Sequence, residues 1–194
     1  MSVAVDTAIV ILAGGNATRF PGKLERRIGG EPMLLCVYRH ARATGWPVYI
    51  AGRGWNAAEI DAQLDAPVLV DRRPGDGPLQ AFLSACDAIE AERIVALAAD
   101  EPYVDARLLA SIAAAWQPGD EAVAPEHDGR FEPLAALYVR SAARREAARL
   151  VEGGSRAMRA LIGRLQTRFV AVPGRYFANI NTPQDLHRAI GMSR

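Results

Sequence analysis

Apolar, β-branched runs alternate with helix-periodic segments along almost the whole chain, and that alternation most narrows the folds open to it. Ala8-Ile9-Val10-Ile11-Leu12, Val48–Ala51, Val68–Val70 and Ile94–Ala99 are short, continuous apolar runs, the pattern of strands buried on both faces. Helical segments with their own start signals lie between them. Pro32 precedes the stripe Met33, Val37, His40 and Ala41, which ends before Gly45; Pro78 opens a helix through Ile89. Asn56 with Glu59 three residues on has the form of a capping box for Ala57–Leu64, and Asp105 is placed to cap Ala106–Trp116. Ala122–Ala124 and Leu134–Val139 flank the polar turn His127-Asp128-Gly129-Arg130 and read as an antiparallel excursion. Helices Ala142–Val151 and Arg156–Leu165, a strand Phe169–Val172, and a closing helix Gln184–Ile190 introduced by Thr182-Pro183 complete the order. Strands and helices in alternation with short connections imply right-handed βαβ units. The expected fold is therefore α/β, one doubly wound and mostly parallel sheet, with residues 1–194 forming a single domain. Ligands of such sheets bind outside the carboxyl ends of the strands.

Composition removes several function classes. The 194 residues carry 23 basic and 22 acidic side chains, a net charge of +1, so there is no charge excess to drive binding to nucleic acid. The apolar run Ala8–Ala13 is far too short to span a bilayer, and the N-terminus lacks a basic region and a cleavage site. Cys36 and Cys86 form no metal or disulfide pattern. A soluble cytoplasmic protein, with no membrane or nucleic-acid partner, is expected. One bias stands out: of the 23 basic residues, 22 are arginine and one, Lys23, is lysine. Either one lysine survives there by chance or the position calls for a compact, rotatable ammonium, and the neighbouring residues decide between the two.

The strand ends hold the residues of interest. The first strand runs into Leu12-Ala13-Gly14-Gly15-Asn16-Ala17-Thr18-Arg19-Phe20-Pro21-Gly22-Lys23. Paired glycines let backbone N–H groups approach a phosphate chain, and Arg19 and Lys23 supply positive charge. The loop is neither a Walker A motif, since Leu24 follows the lysine, nor a Gly-x-Gly-x-x-Gly fingerprint. The third strand ends in Asp71, a residue type that also serves as an ordinary turn former. The most apolar strand ends in Asp100-Glu101-Pro102, and a carboxylate there suits Mg2+ carried by a nucleotide. Glu101, the next residue along the strand, is expected to face away. His40, His127 and His187 read as surface or packing residues.

Together these blocks resemble the nucleotidyltransferases of the molybdenum cofactor guanylyltransferase type. The resemblance covers nearly the whole chain: LAGGNATRFPGK at 12–23, PGDGPL at 74–79 after Asp71, AADEPYV at 98–104, EPLAALY at 132–138 and FANINTPQDL at 177–186. It implies a Rossmann-like nucleotidyltransferase fold, with a guanine nucleotide held by the backbone of Leu12, Ala13 and Gly14 together with Lys23, Asp71 and Asp100. It also implies Mg2+ on Asp100, room near the base at Gly15, and a pterin side formed by Asn179-Ile180-Asn181-Thr182. The chain departs from the family at Phe20-Pro21-Gly22, one residue short and without an Asp before the lysine. It departs again at Gly52 beside Arg53, where an Asn often touches the nucleotide, and at Glu132-Pro133, where a His-Pro is common.

The implied reaction is attack by a phosphate oxygen of a molybdopterin-type cofactor on the α-phosphorus of GTP, with pyrophosphate released. A phosphomonoester has a second pKa of about 6 and is already a nucleophile near neutrality, so no general base is required. The implied catalytic residues are Lys23, Arg19 and Asp100, acting by alignment and charge neutralisation. Apo molybdoenzymes and other cofactor-biosynthesis proteins are the implied protein partners. The competing expectations are cytidylyl or other nucleotidyl transfer, to the same cofactor or to a sugar phosphate, and a GTP-binding module without turnover.

Overall fold

The computed structural model describes residues 6–14, 22–69 and 75–177. In chain order these form β1 (Thr7–Leu12), β2 (Arg27–Ile28), β3 (Glu31–Pro32), α1 (Met33–Arg42), β4 (Val48–Ala51), α2 (Ala58–Gln63), β5 (Val68–Leu69), α3 (Pro78–Ala88), β6 (Arg93–Ala98), α4 (Ala106–Ala114), β7 (Ala122–His127), β8 (Arg130–Phe131), β9 (Ala135–Val139), α5 (Arg140–Glu152), α6 (Met158–Ile162) and β10 (Thr167–Ala171). Short 3-10 turns lie at Lys23–Glu25 and Gly174–Phe177.

The main sheet has the order β10-β7-β9-β6-β1-β4-β5, with β8 paired to β7; β2 and β3 make a separate hairpin. β6, β1, β4 and β5 run parallel. β9 runs against both β6 and β7, and β10 is again parallel to β7. The antiparallel excursion is thus confined to β9 and the β7–β8 hairpin. The run Ala8–Leu12 is wholly apolar because β1 is covered twice. Ile9 and Ile11 join a core with α1, α2 and α4, while Ala8, Val10 and Leu12 join the opposite core with α3, α5 and α6. The two-residue loop of the β7–β8 hairpin is Asp128-Gly129, with φ 47° and 69°. Both positions are left-handed, as a primed turn requires, which suits Asp-Gly there.

Several local expectations are corrected. Asn56 and Glu59 form no capping box: α2 starts after Ala57, with no side-chain cap. The Asn56 N–H instead donates to Glu25 Oε1 at 2.7 Å, and Glu59 pairs with Arg27, so tertiary partners displace the local cap. The sixth helix starts at Met158, not Arg156, because the Arg156 carbonyl accepts from Leu79 N–H at the start of α3, at 3.3 Å. The turn expected at 127–130 is shorter, since His127 and Arg130 are paired strand residues. Asp105 does cap α4, accepting from Leu108 N–H at 2.9 Å. Val70, Thr182-Pro183 and the helix expected at 184–190 lie outside the described residues.

Candidate active site

Strand order brings two distant segments together. From β1 the chain passes through α1 to β4 on one side, while α3 later delivers β6 to the other side. The carboxyl ends of β1 and β6 therefore lie side by side at the point where the winding reverses, where open α/β sheets form their crevice. Leu12 pairs with Ala98, and the Ala99 N–H donates to the Leu12 carbonyl at 3.3 Å.

Across that junction Lys23 Nζ donates to Asp100 Oδ2 at 2.5 Å, although 77 residues separate them. Their side chains are 20% and 21% exposed, shielded enough to hold each other and open enough to meet a ligand. Lys23 opens a 3-10 turn after Gly22, whose φ of 65° is left-handed. Two contacts brace the turn: Leu24 is buried in the same core as Trp55, and Glu25 accepts from the Asn56 backbone.

The Gly14 end of β1 is seated on the end of β4. Ala13 N–H donates to the Ala51 carbonyl at 2.9 Å. Gly52 has φ 84°, and a Cβ there would stand 2.6 Å from Gly14 Cα; a Cβ at Gly54 would stand 2.4 Å from the Ala13 carbonyl oxygen. No side chain fits at Gly52, so the Asn common in the resembled family has no counterpart at that position. Between the two glycines Arg53 pairs with Asp61 at 2.6 Å, and Asp61 also accepts from Trp55 Nε1 at 2.9 Å. The role of Gly54 was not expected, though Gly-x-Gly directly after a strand is a sequence signal for close backbone approach.

Leu12, Ala13, Gly14, Lys23 and Asp100 are therefore neighbours at one crevice mouth, with Leu12 and Ala13 buried and Gly14 exposed. Gly15, Arg19, Asp71, Asn179 and Asn181 lie outside the described residues.

A second group beside this site was missed in the sequence. Glu101 is 3% exposed, and its Oε2 has no hydrogen-bond partner. Burial first, then the negative charges of Asp100 and Glu132, push its carboxyl well above the usual carboxylate range. Glu132 Oε1 lies 3.0 Å from His127 Nε2, and the imidazole stacks on Phe177 with centroids 4.8 Å apart. His127 is thus a packing residue that also partners Glu132. No sequence motif joins these residues, because they come from the ends of β6, β7 and β8 and from the last 3-10 turn.

Among the described residues no group of three His, Cys, Asp or Glu is placed to hold a metal ion. Asp100 offers one hard carboxylate, which fits an ion such as Mg2+ that draws its other ligands from phosphates and water. No described helix is long and apolar enough to cross a membrane.

Residues 9–168 match the family described as MobA-like NTP transferase domain. The chain is 34% identical to a probable molybdenum cofactor guanylyltransferase of Opitutus terrae, over 92% of each chain. The crystal structure of molybdopterin-guanine dinucleotide biosynthesis protein A from Archaeoglobus fulgidus is similar with a TM-score of 0.79 and 25% identity, covering 96% of this chain and 98% of that one. The 2-C-methyl-D-erythritol 4-phosphate cytidylyltransferase of Thermus thermophilus shares the fold, with a TM-score of 0.72 and 18% identity over 95% and 98% of the two chains.

Proposed function

Since this chain belongs to the MobA-like NTP transferase family, we propose that it transfers GMP from GTP to a molybdopterin-type cofactor and releases pyrophosphate. The observation that supports this reading most directly is the Lys23–Asp100 pair at the β1–β6 junction, beside the exposed backbone of Gly14. An acceptor phosphate oxygen forms the new bond to the α-phosphorus as the bond to the β-phosphate oxygen breaks, and the electron pair leaves with pyrophosphate. The acceptor is anionic near neutrality, so no residue need remove a proton. That fits His127, which is engaged with Glu132.

The residues then align two anions and offset their repulsion. In this reading the backbone of Leu12, Ala13 and Gly14 receives the nucleotide, Gly15 leaves room near the base, and Asp71 holds the nucleoside. Lys23 and Arg19 draw charge from the α-phosphate and the leaving group. Asn179 and Asn181 face the acceptor. Asp100 would hold a divalent ion, Mg2+, which when bound supplies charge neutralisation at phosphate oxygens. Residues 1–194 act as one domain in the cytoplasm, handing product to apo molybdoenzymes or other cofactor-biosynthesis proteins.

Gly52 supports a second reading on base choice. A position that often carries an Asn beside the nucleotide has none here and cannot accept one, so discrimination between GTP and CTP should be modest. Pyrophosphate release with GTP, CTP and UTP, each crossed with molybdopterin and a sugar phosphate, tests the proposal. The reading expects GTP with molybdopterin to lead. CTP ahead of GTP would make it a cytidylyltransferase, and a sugar phosphate ahead of molybdopterin would replace the acceptor.

A further inference from the structure

The Lys23–Asp100 pair has a consequence for how a divalent ion can enter. Asp100 already holds a cation: the Lys23 ammonium sits 2.5 Å from its Oδ2. A free divalent ion would have to displace that ammonium and surrender part of its own hydration. In return it would gain the Asp100 carboxylate, with no three-donor cluster among the described residues to complete its shell. Magnesium dehydrates reluctantly and is rarely held that way without phosphate ligands. A nucleotide changes both sides of the exchange. Its phosphates offer Lys23 a stronger anionic partner than a single carboxylate, and they bring an ion with oxygen ligands already in place.

We propose that Lys23 is the resident counter-ion of Asp100, so that the divalent ion enters only with the nucleotide. The proposal rests on the reading that Asp100 holds that ion. Lys23 exchanges Asp100 for the phosphates when the nucleotide binds, and it returns to Asp100 when pyrophosphate leaves. The exchange needs a cation that can swing between two anions. An ammonium on a flexible four-carbon stem does this, whereas a planar guanidinium meets either anion in a wide, flat two-point contact. That gives a physical reason for one lysine at this position in a chain that otherwise uses arginine. Opening the pair is offset on both sides, because the ammonium exchanges one anionic partner for another and Asp100 exchanges one cation for another, and both side chains are about a fifth exposed.

Bound Mn2+ can be counted directly, by loss of the free-ion electron paramagnetic resonance signal and by water-proton relaxation. The measurements use wild type, Lys23→Met and Asp100→Asn, with and without GTP, and thermal unfolding confirms that each is folded. Without GTP, Lys23→Met should bind Mn2+ about fivefold more tightly than wild type, and the double variant Lys23→Met, Asp100→Asn should lose that gain. Lys23→Gln repeats the comparison should the methionine variant be unstable. Equal Mn2+ affinity of wild type and Lys23→Met without GTP would overturn the inference while leaving the functional reading in place. Mn2+ with GTP bound equally well by Asp100→Asn and wild type would overturn the reading that Asp100 holds the ion, and the inference with it.

Discussion

At the scale of single residues, the site is a question of which charges are satisfied before any ligand arrives. Lys23 and Asp100 satisfy each other; Glu101 has no partner for its buried Oε2 and is held towards its neutral form. A wider cation at position 23 would meet the phosphates in a flat, two-point contact, displacing them from the attack line. Lys23→Arg should therefore lower kcat by about 10²-fold with a smaller change in KM for GTP. Steady-state pyrophosphate release checks this, and a rate within about threefold of wild type would make the lysine incidental. Glu101 carries a pH signature of the opposite sign to an ion-paired carboxylate. Its pKa is raised in the folded protein, so the stability it contributes is complete below the unfolded value of 4.5 and is lost as the pH rises towards the folded value. Denaturant unfolding at pH 5 and pH 8 should show Glu101→Gln gaining stability relative to wild type at the higher pH. A constant difference between the two pH values would mean that the carboxyl is charged throughout.

At the scale of elements, the ends of β1 and β4 act as one surface, because Gly52 and Gly54 let the two backbones touch. Gly52→Ala meets both a clash at 2.6 Å from Gly14 Cα and a left-handed φ of 84°. It should cost about 1–3 kcal/mol of stability and weaken nucleotide binding. Calorimetric Tm and GTP titration measure the two effects, and an unchanged Tm would show that the strand ends separate freely. What the sequence made legible follows the same logic. β1 and β6 are visible because both faces are buried and their runs Ala8–Leu12 and Ile94–Ala98 carry no polar residue, and Asp100 is visible because it closely follows such a run. The β2–β3 hairpin escapes notice, since two-residue strands have no period to read. The capping box at Asn56 misled because Glu25, 31 residues earlier, takes the backbone N–H that a local reading assigns to the cap. Glu101, Glu132 and His127 could not be joined in advance, because only the reversed strand β9 brings their segments together.

At the scale of the whole molecule, a net charge of +1 gives no global field to gather two polyanionic substrates, so attraction must be local. The sheet supplies that locality by reversing its winding at β1, which sets the Lys23 turn against the end of β6. Among the described residues Lys23 is already engaged with Asp100 and Glu101 is held towards its neutral form, so in the proposed reaction a divalent ion that accompanies the nucleotide adds to the charge of Lys23 and Arg19. This makes Asp100 the residue on which the account depends. The decisive measurement is pyrophosphate release from GTP and molybdopterin at saturating Mg2+, comparing wild type with Asp100→Asn, with thermal unfolding recorded on both. A loss of at least about 10²-fold in kcat/KM is expected, with the variant folded and its Tm within a few degrees of wild type. Turnover within about threefold of wild type, from a folded variant, would contradict it.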